Sequence, residues 1–191
     1  MDASASIDAA LTSSGVVRRE DVLAWLEQAH DLVALEKLYR LTGTGYERIQ
    51  PELGKEVTCG LIRRFLLECI RLDAGNDELI PSRFEAAGLL YQWYLHLLEV
   101  PEGASDVLAE TSAAVTELFL AGDAKLQNAI ETGFLEHALE TEALRPYFQH
   151  WAADKRLREA WECALEWGNA HPNFMSSMLN TLRAVQERYP K

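Results

Sequence analysis

The spacing of its apolar residues constrains this chain more than any other feature: they recur with a period near 3.6, and no stretch of useful length alternates with period 2. From Glu20, the residues Val22, Leu23, Trp25, Leu26, Ala29, Val33, Leu35, Leu38 and Tyr39 follow i, i+3, i+4 spacing. Glu27, Asp31, Glu36 and Lys37 lie between them, which predicts one amphipathic helix ending near Gly43. Thr42-Gly43-Thr44-Gly45 reads as a loop, and Pro51 suits the first turn of a second helix striped by Val57, Leu61, Ile62, Phe65, Leu66, Cys69 and Leu72. Ala74, Gly75 and Asn76 close it. Pro81 with Ser82 opens a third helix (Phe84, Ala87, Leu90, Tyr91, Tyr94, Leu95, Leu98), the most apolar segment, which is expected to lie centrally.

A break at Val100-Pro101-Glu102-Gly103 precedes a fourth helix from about Ser105 to Ala121, and Gly122-Asp123 ends it and caps a fifth running to about Glu140. Thr141 and Glu142 begin a short sixth helix through Pro146 and Trp151. Asp154 is the expected N-cap of a seventh, through Trp161 and Trp167 to Gly168, and Pro172 starts a last one through Phe174, Met178, Leu182 and Val185. Val and Ile are scarce beside Leu, Ala and Glu, so no significant sheet is expected. The predicted fold is all-α: one domain over residues 15–191, a bundle or irregular array of about eight helices, preceded by a flexible N-terminus over residues 1–14. No period of about 34 or 40 residues recurs, which argues against a solenoid.

Charge and composition remove several classes of function. A formal net charge of −12 opposes binding to nucleic acid phosphates or to anionic lipid. No window approaches the roughly 18 uninterrupted apolar residues of a membrane span. Residues 1–14 carry two acids and no base, the opposite of an export signal. Cys59, Cys69 and Cys163 are too few and too far apart for a disulfide framework or a zinc site, and read as buried, reduced thiols in a cytoplasmic protein.

Phosphate-binding glycine loops, nucleophile elbows and H-E-x-x-H are all missing, so no catalytic residue, cofactor or metal is assigned. Glu27 and His30 form a single Glu-x-x-His with no second copy, and a di-iron bundle needs two. Glu136, His137 and Glu140 fall within about one helical turn and read first as a solvated acidic face, with a binding surface as the sharper alternative. His150 and His171 sit at predicted helix ends. Trp151, Trp161 and Trp167 cluster with Tyr147 and Phe148, as expected of a core group; any left exposed would be interface anchors.

The charge is unevenly distributed. Pro101 to Glu142 holds nine acids and one base, Lys125, whereas Ala143 to Lys191 holds five acids and seven bases. The acids of that stretch predict a docking face for a basic protein, with Glu110, Glu117, Asp123, Glu131, Glu136, Glu140 and Glu142 as partner-binding residues. Two alternatives remain: an enzyme or small-ligand protein with a pocket between helices, and an acidic adaptor.

Gly133-Phe134-Leu135-Glu136-His137, Leu144-Arg145-Pro146-Tyr147-Phe148, Ala160-Trp161-Glu162 and Leu165-Glu166-Trp167-Gly168 carry a resemblance over about the last 60 residues. This region resembles a family of small, acidic, all-helical bacterial proteins of uncharacterised function, some of them similar to immunity proteins of polymorphic toxin systems. The resemblance implies a cytoplasmic antidote bound to a toxin domain with a basic surface. It rests on packing and turn residues and transfers no individual binding position.

Overall fold

A computed structural model describes residues 3–75, 79–99, 104–175, 177 and 178. The fold is all-α. The chain groups into two compact units, Met1–Arg83 and Phe84–Lys191.

The first unit contains α1 (Ala3–Thr12), α2 (Arg19–Gln28), α3 (Leu32–Gly45), a 3-10 turn (Tyr46–Arg48) and α4 (Lys55–Leu72). Two-residue strands β1 (Val17–Arg18) and β2 (Ile49–Gln50) pair in parallel, with Val17 opposite Ile49, and are the only sheet among the described residues. The expectation of a flexible N-terminus is corrected: residues 3–12 are helical. Their anchor is Ile7, fully buried, in a helix packed on α3. Lys37 Nζ lies 2.6 Å from the Asp8 carboxylate, and the Arg48 guanidinium donates to the carbonyls of Ala10 and Ser13 at the helix end. One well-placed apolar residue and tertiary hydrogen bonds hold a segment whose own periodicity is too weak to announce it.

The single helix predicted from Glu20 to Gly43 is two. Asp31 interrupts it by accepting a hydrogen bond from the Ala34 N–H at 2.8 Å, which caps the start of α3. Glu27 lies on α2, but His30 lies beyond its last residue, Gln28, so the two do not share a helix face. The predicted loop at Thr42–Gly45 is instead the last turn of α3. Burial of Leu41 and Thr42 carries the helix through its glycines, and the Thr42 and Thr44 hydroxyls bond back to the Tyr39 and Arg40 carbonyls. Pro51 likewise precedes α4 by four residues rather than opening it.

The second unit contains α5 (Arg83–Glu99, its first residue at the unit boundary) and α6 (Ala104–Ala121). Then follows a helix in three parts: α7 (Ala124–Ile130), a π-helical turn (Glu131–Leu135) and α8 (Glu136–Glu140). The predicted sixth helix is a 3-10 turn (Glu142–Leu144) and two short helices, α9 (Arg145–Phe148) and α10 (His150–Ala153). α11 (Arg158–Ala170) begins later than expected, because Asp154 accepts from the Arg156 N–H instead of capping the helix. The predicted Val100–Gly103 break, Asn76 and everything after Met178 in the last predicted helix lie outside the described residues.

The core of this unit is aromatic. Tyr91, Tyr94, Phe134, Phe148 and Trp151 are all essentially inaccessible, with ring centroids 5.1 Å apart for Tyr94 and Phe134 and 5.5 Å apart for Phe134 and Phe148. α5 buries Ala86, Ala87, Leu90, Tyr91, Tyr94 and Leu97, whereas Phe84, on its expected apolar stripe, is half exposed. Cys59 and Cys69 are buried, and burial pushes the Cys69 thiol up to about 12. Cys163 is exposed, which corrects the expectation of three buried thiols.

Arginine side chains recur as helix terminators in both units. Arg64 donates to the Leu26 and Ala29 carbonyls at the end of α2, Arg83 to Ile70 and Arg71 in the last turn of α4, Arg145 to Leu139 at the end of α8, and Arg158 to Ala152 in α10. A helix C-terminus presents unsatisfied carbonyls and partial negative charge, and the planar guanidinium can satisfy two of them together. Of these arginines, Arg83 also lies 3.9 Å from the exposed Asp73 carboxylate.

Among the described residues, no helix is long and apolar enough to cross a membrane.

Candidate partner-binding face

The π-helical turn decides which acids of the second unit meet. In a regular α-helix, side chains five residues apart point roughly 140° away from each other. Here the Glu136 N–H donates to the Glu131 carbonyl, an i to i+5 bond that widens the turn and turns the two positions towards the same side, where the charge of Glu131 bears on Glu136. Gly133 lets this wide turn pass α5: a Cβ there would lie 2.9 Å from the Ala87 Cβ.

Both carboxylates are half-buried and held at raised pKa. For Glu131 the causes are desolvation and then the charge of Glu159; for Glu136, desolvation leads, Glu131 and Glu140 add to it, and His137 and His171 oppose. On α11, Glu159, Glu162 and Glu166 follow i, i+3, i+7 spacing, opposite the buried Ala160, Trp161, Ala164 and Gly168. All three are exposed, and together with Glu131 they surround Cys163, whose thiol is raised by desolvation and then by these four carboxylates. Glu131, Glu136, Glu159, Glu162 and Glu166 have no Lys or Arg ion-pair partner among the described residues. Three arginines of this region are engaged elsewhere: Arg145 and Arg158 on carbonyls, and Arg156 on Asp154, which it holds down to about 2.

The expected docking residues therefore divide. Glu131 and Glu136 come together. Glu110 and Glu117 are exposed on α6, Asp123 caps α7 by accepting from the Leu126 N–H at 2.9 Å, and Glu142 is exposed in the 3-10 turn; none of these four figures in the charge felt by Glu131 or Glu136. Glu140 is corrected outright: at 2% exposure it cannot belong to a docking face. Its Oε1 lies 2.8 Å from His137 Nδ1 and accepts from the Trp167 indole N–H at 3.2 Å, and its Oε2 accepts from the Met175 N–H at 2.8 Å. The expected solvated trio Glu136, His137 and Glu140 is thus two half-buried residues and one buried carboxylate. Of the tryptophan cluster, Trp151 and Trp161 are buried and Trp167 is half-buried.

Net charge along the chain hides Glu159, Glu162 and Glu166, because the bases of residues 143–191 cancel them. Helical spacing of glutamates opposite the Ala160/Trp161/Ala164/Gly168 stripe was the available signal. A surface hollow of about 470 Å³ opens beside His171, Phe174 and Met178. Among the described residues, no group of three or more His, Cys, Asp or Glu is placed to hold a metal ion.

Crowded, half-buried carboxylates cost stability, and the sign gives a prediction. A raised carboxyl pKa means that the folded state binds the proton more tightly, so these two groups are neutral in their effect below the ordinary glutamate value near 4.3 and destabilise as pH rises through their folded values. Glu131→Gln with Glu136→Gln is expected to stabilise the isolated protein at neutral pH, by under ~1 kcal/mol per site. Denaturant titrations from about pH 7 to about pH 4 should show the advantage vanishing on acidification; a double variant less stable than the parent at neutral pH contradicts it.

No protein-family model matches the sequence, and neither a curated protein nor a solved structure is significantly similar to it.

Proposed function

We propose that this chain is a protein-binding antidote: an immunity protein, cytoplasmic and bacterial, that occludes the active site of a toxin domain bearing a basic surface. The observation that carries the reading is the run of carboxylates from the π turn to α11: Glu131 bears on Glu136, Glu159 bears on Glu131, and Glu131, Glu159, Glu162 and Glu166 all bear on Cys163, with no Lys or Arg ion-pair partner among the described residues. Repulsion stored in a free protein is relieved when Lys and Arg of a partner arrive, so the arrangement favours association at the expense of the isolated fold. Preorganised carboxylates also steer a basic partner, raising the association rate in a salt-dependent way. The choice of a toxin as that partner follows from the resemblance we propose for the last 60 or so residues, to a family of uncharacterised function some of whose members are similar to immunity proteins.

The test begins with capture of the tagged chain's partner from its own cells at moderate salt, identified by mass spectrometry. A near-stoichiometric basic protein, toxic when expressed alone and released as salt rises, is the expected result. Glu131→Lys, Glu136→Lys and Glu162→Lys together should slow its association ~10- to 1,000-fold at low salt, with circular dichroism unchanged. An association rate equal to the parent's would remove this face from the contact, and a captured partner without toxicity would remove the antidote reading.

A further inference from the structure

The acidic stripe of α11 runs into a hollow. Glu162, Glu166 and Ala170 are spaced four residues apart and all are exposed, so they share one face of the helix, and Ala170 forms an edge of the surface hollow of about 470 Å³. Its other walls include His171, Pro172, Phe174 and Met178, with Phe174 50% and Met178 41% exposed. Several of these groups are held in place by the fold itself. The His171 ring lies flat on the Trp167 indole, centroids 4.0 Å apart, donates from Nδ1 to the Trp167 carbonyl at 3.0 Å and meets the Phe174 ring edge-on at 6.2 Å. Next to Phe174, the Met175 N–H donates to the buried Glu140 at 2.8 Å. Walls ordered before binding reduce the entropy lost when something settles between them.

We propose that this hollow seats an apolar side chain of the protein partner, one flanked in the partner's own sequence by Lys or Arg. The inference rests on the acidic docking reading above and adds to it the class of residue that anchors the contact. Two observations set the occupant's chemistry. Phe174 and Met178 expose apolar area beside Ala170 and Pro172, and an apolar group is what such walls cover favourably. Carboxylates stand at the approach: Glu166 precedes Ala170 by one turn, about 6 Å along the helix axis, and the charge of His171 bears on Glu136. An extended partner chain advances about 3.3–3.6 Å per residue, so a base one or two positions from the anchor reaches Glu166. An acidic segment would be repelled there, and a purely apolar one would leave the carboxylates without counter-charge. The two parts then divide the work: the carboxylates steer the partner and set its association rate, and the seated side chain sets its residence time.

Two acetylated, amidated pentapeptides, Lys-Lys-Phe-Lys-Lys and Lys-Lys-Ser-Lys-Lys, titrated into the full chain at low salt, separate the hollow from the charge. The phenylalanine peptide should bind at least ~10-fold more tightly, the gain expected from burying its ring. It should also shift the Met178 ε-methyl resonance, which the serine peptide leaves in place. Phe174→Ser, at an exposed position where the fold should be retained, is expected to bring the two affinities together, and Met178→Ser is the second variant with the same expectation. Equal affinity of the unaltered chain for the two peptides, a Met178 resonance unmoved by the phenylalanine peptide, or variants that keep the full preference would overturn the anchor and leave the acidic face standing. If neither peptide binds, the acidic face and the anchor fall together. A Met178 shift on concentrating the protein alone would assign the hollow to a second copy of this chain and so also overturns the proposal.

Discussion

Trp151→Ala is expected to lower the stability of the protein by ~3–5 kcal/mol, the range for deleting a fully buried aromatic side chain. Trp151 is 0% exposed and lies 4.8 Å from the Phe119 ring and 6.3 Å from Phe148, so its removal opens a cavity between α6 and the short helices α9 and α10. Its indole N–H also donates to Thr116 Oγ1 at 2.7 Å, while the Thr116 hydroxyl itself bonds back to the Ser112 carbonyl at 2.8 Å. Trp151→Phe retains most of the ring packing and loses only that hydrogen bond, so it should cost much less, roughly 1–2 kcal/mol. Urea titrations of the two variants separate the packing from the polar contribution. A Trp151→Ala loss below about 1 kcal/mol would mean that this ring is not a core element.

Gly168→Ala is the second large effect, and it comes from a single methyl group. A Cβ at position 168 would lie 2.7 Å from the Leu139 carbonyl carbon and oxygen and 2.9 Å from the Glu140 nitrogen. The obstruction is backbone, which cannot swing aside as a side-chain tip can, so α11 must move away from α8. Overpacking of this kind costs ~1–3 kcal/mol, and here it outweighs the gain of about 1 kcal/mol that alanine normally brings to a helix interior. The displacement falls where Trp167 reaches Glu140, so loss of Met175 amide protection should accompany the fall in melting temperature. Gly168→Ala with unchanged or raised stability would show that the two helices do not approach this closely.

The two substitutions share a cause with the docking face. α8 and α11 approach closely at Gly168; α11 carries Glu159, Glu162 and Glu166, which with Glu131 bear on Cys163, and its Trp167 donates to the buried Glu140. Steering charge on the outside and a hydrogen-bonded carboxylate on the inside are therefore consequences of one helix contact. Glu136 and Glu140, four residues apart, illustrate the division: the same residue type is a half-buried acid at one position and a buried acceptor at the other.

What the sequence determined by itself was the all-α class, most helix locations in the second unit and the aromatic residues of its core. Apolar periodicity is a local property written directly in residue order. Asp123 as the cap of α7 and the apolar character of α5 were legible for the same reason. Tertiary structure alone decided the rest. Ile7 and the guanidinium of Arg48, 41 residues further along the chain, make a helix of residues 3–12; burial extends α3 through Gly43 and Gly45; and a π turn aligns Glu131 with Glu136, which regular helical spacing would set far apart. Glu140 is the clearest instance. His137 is a local partner, but nothing near it in sequence states that Trp167 and Met175 will supply its other hydrogen-bond donors, and donors brought in by packing let a carboxylate lie buried rather than join the acidic surface.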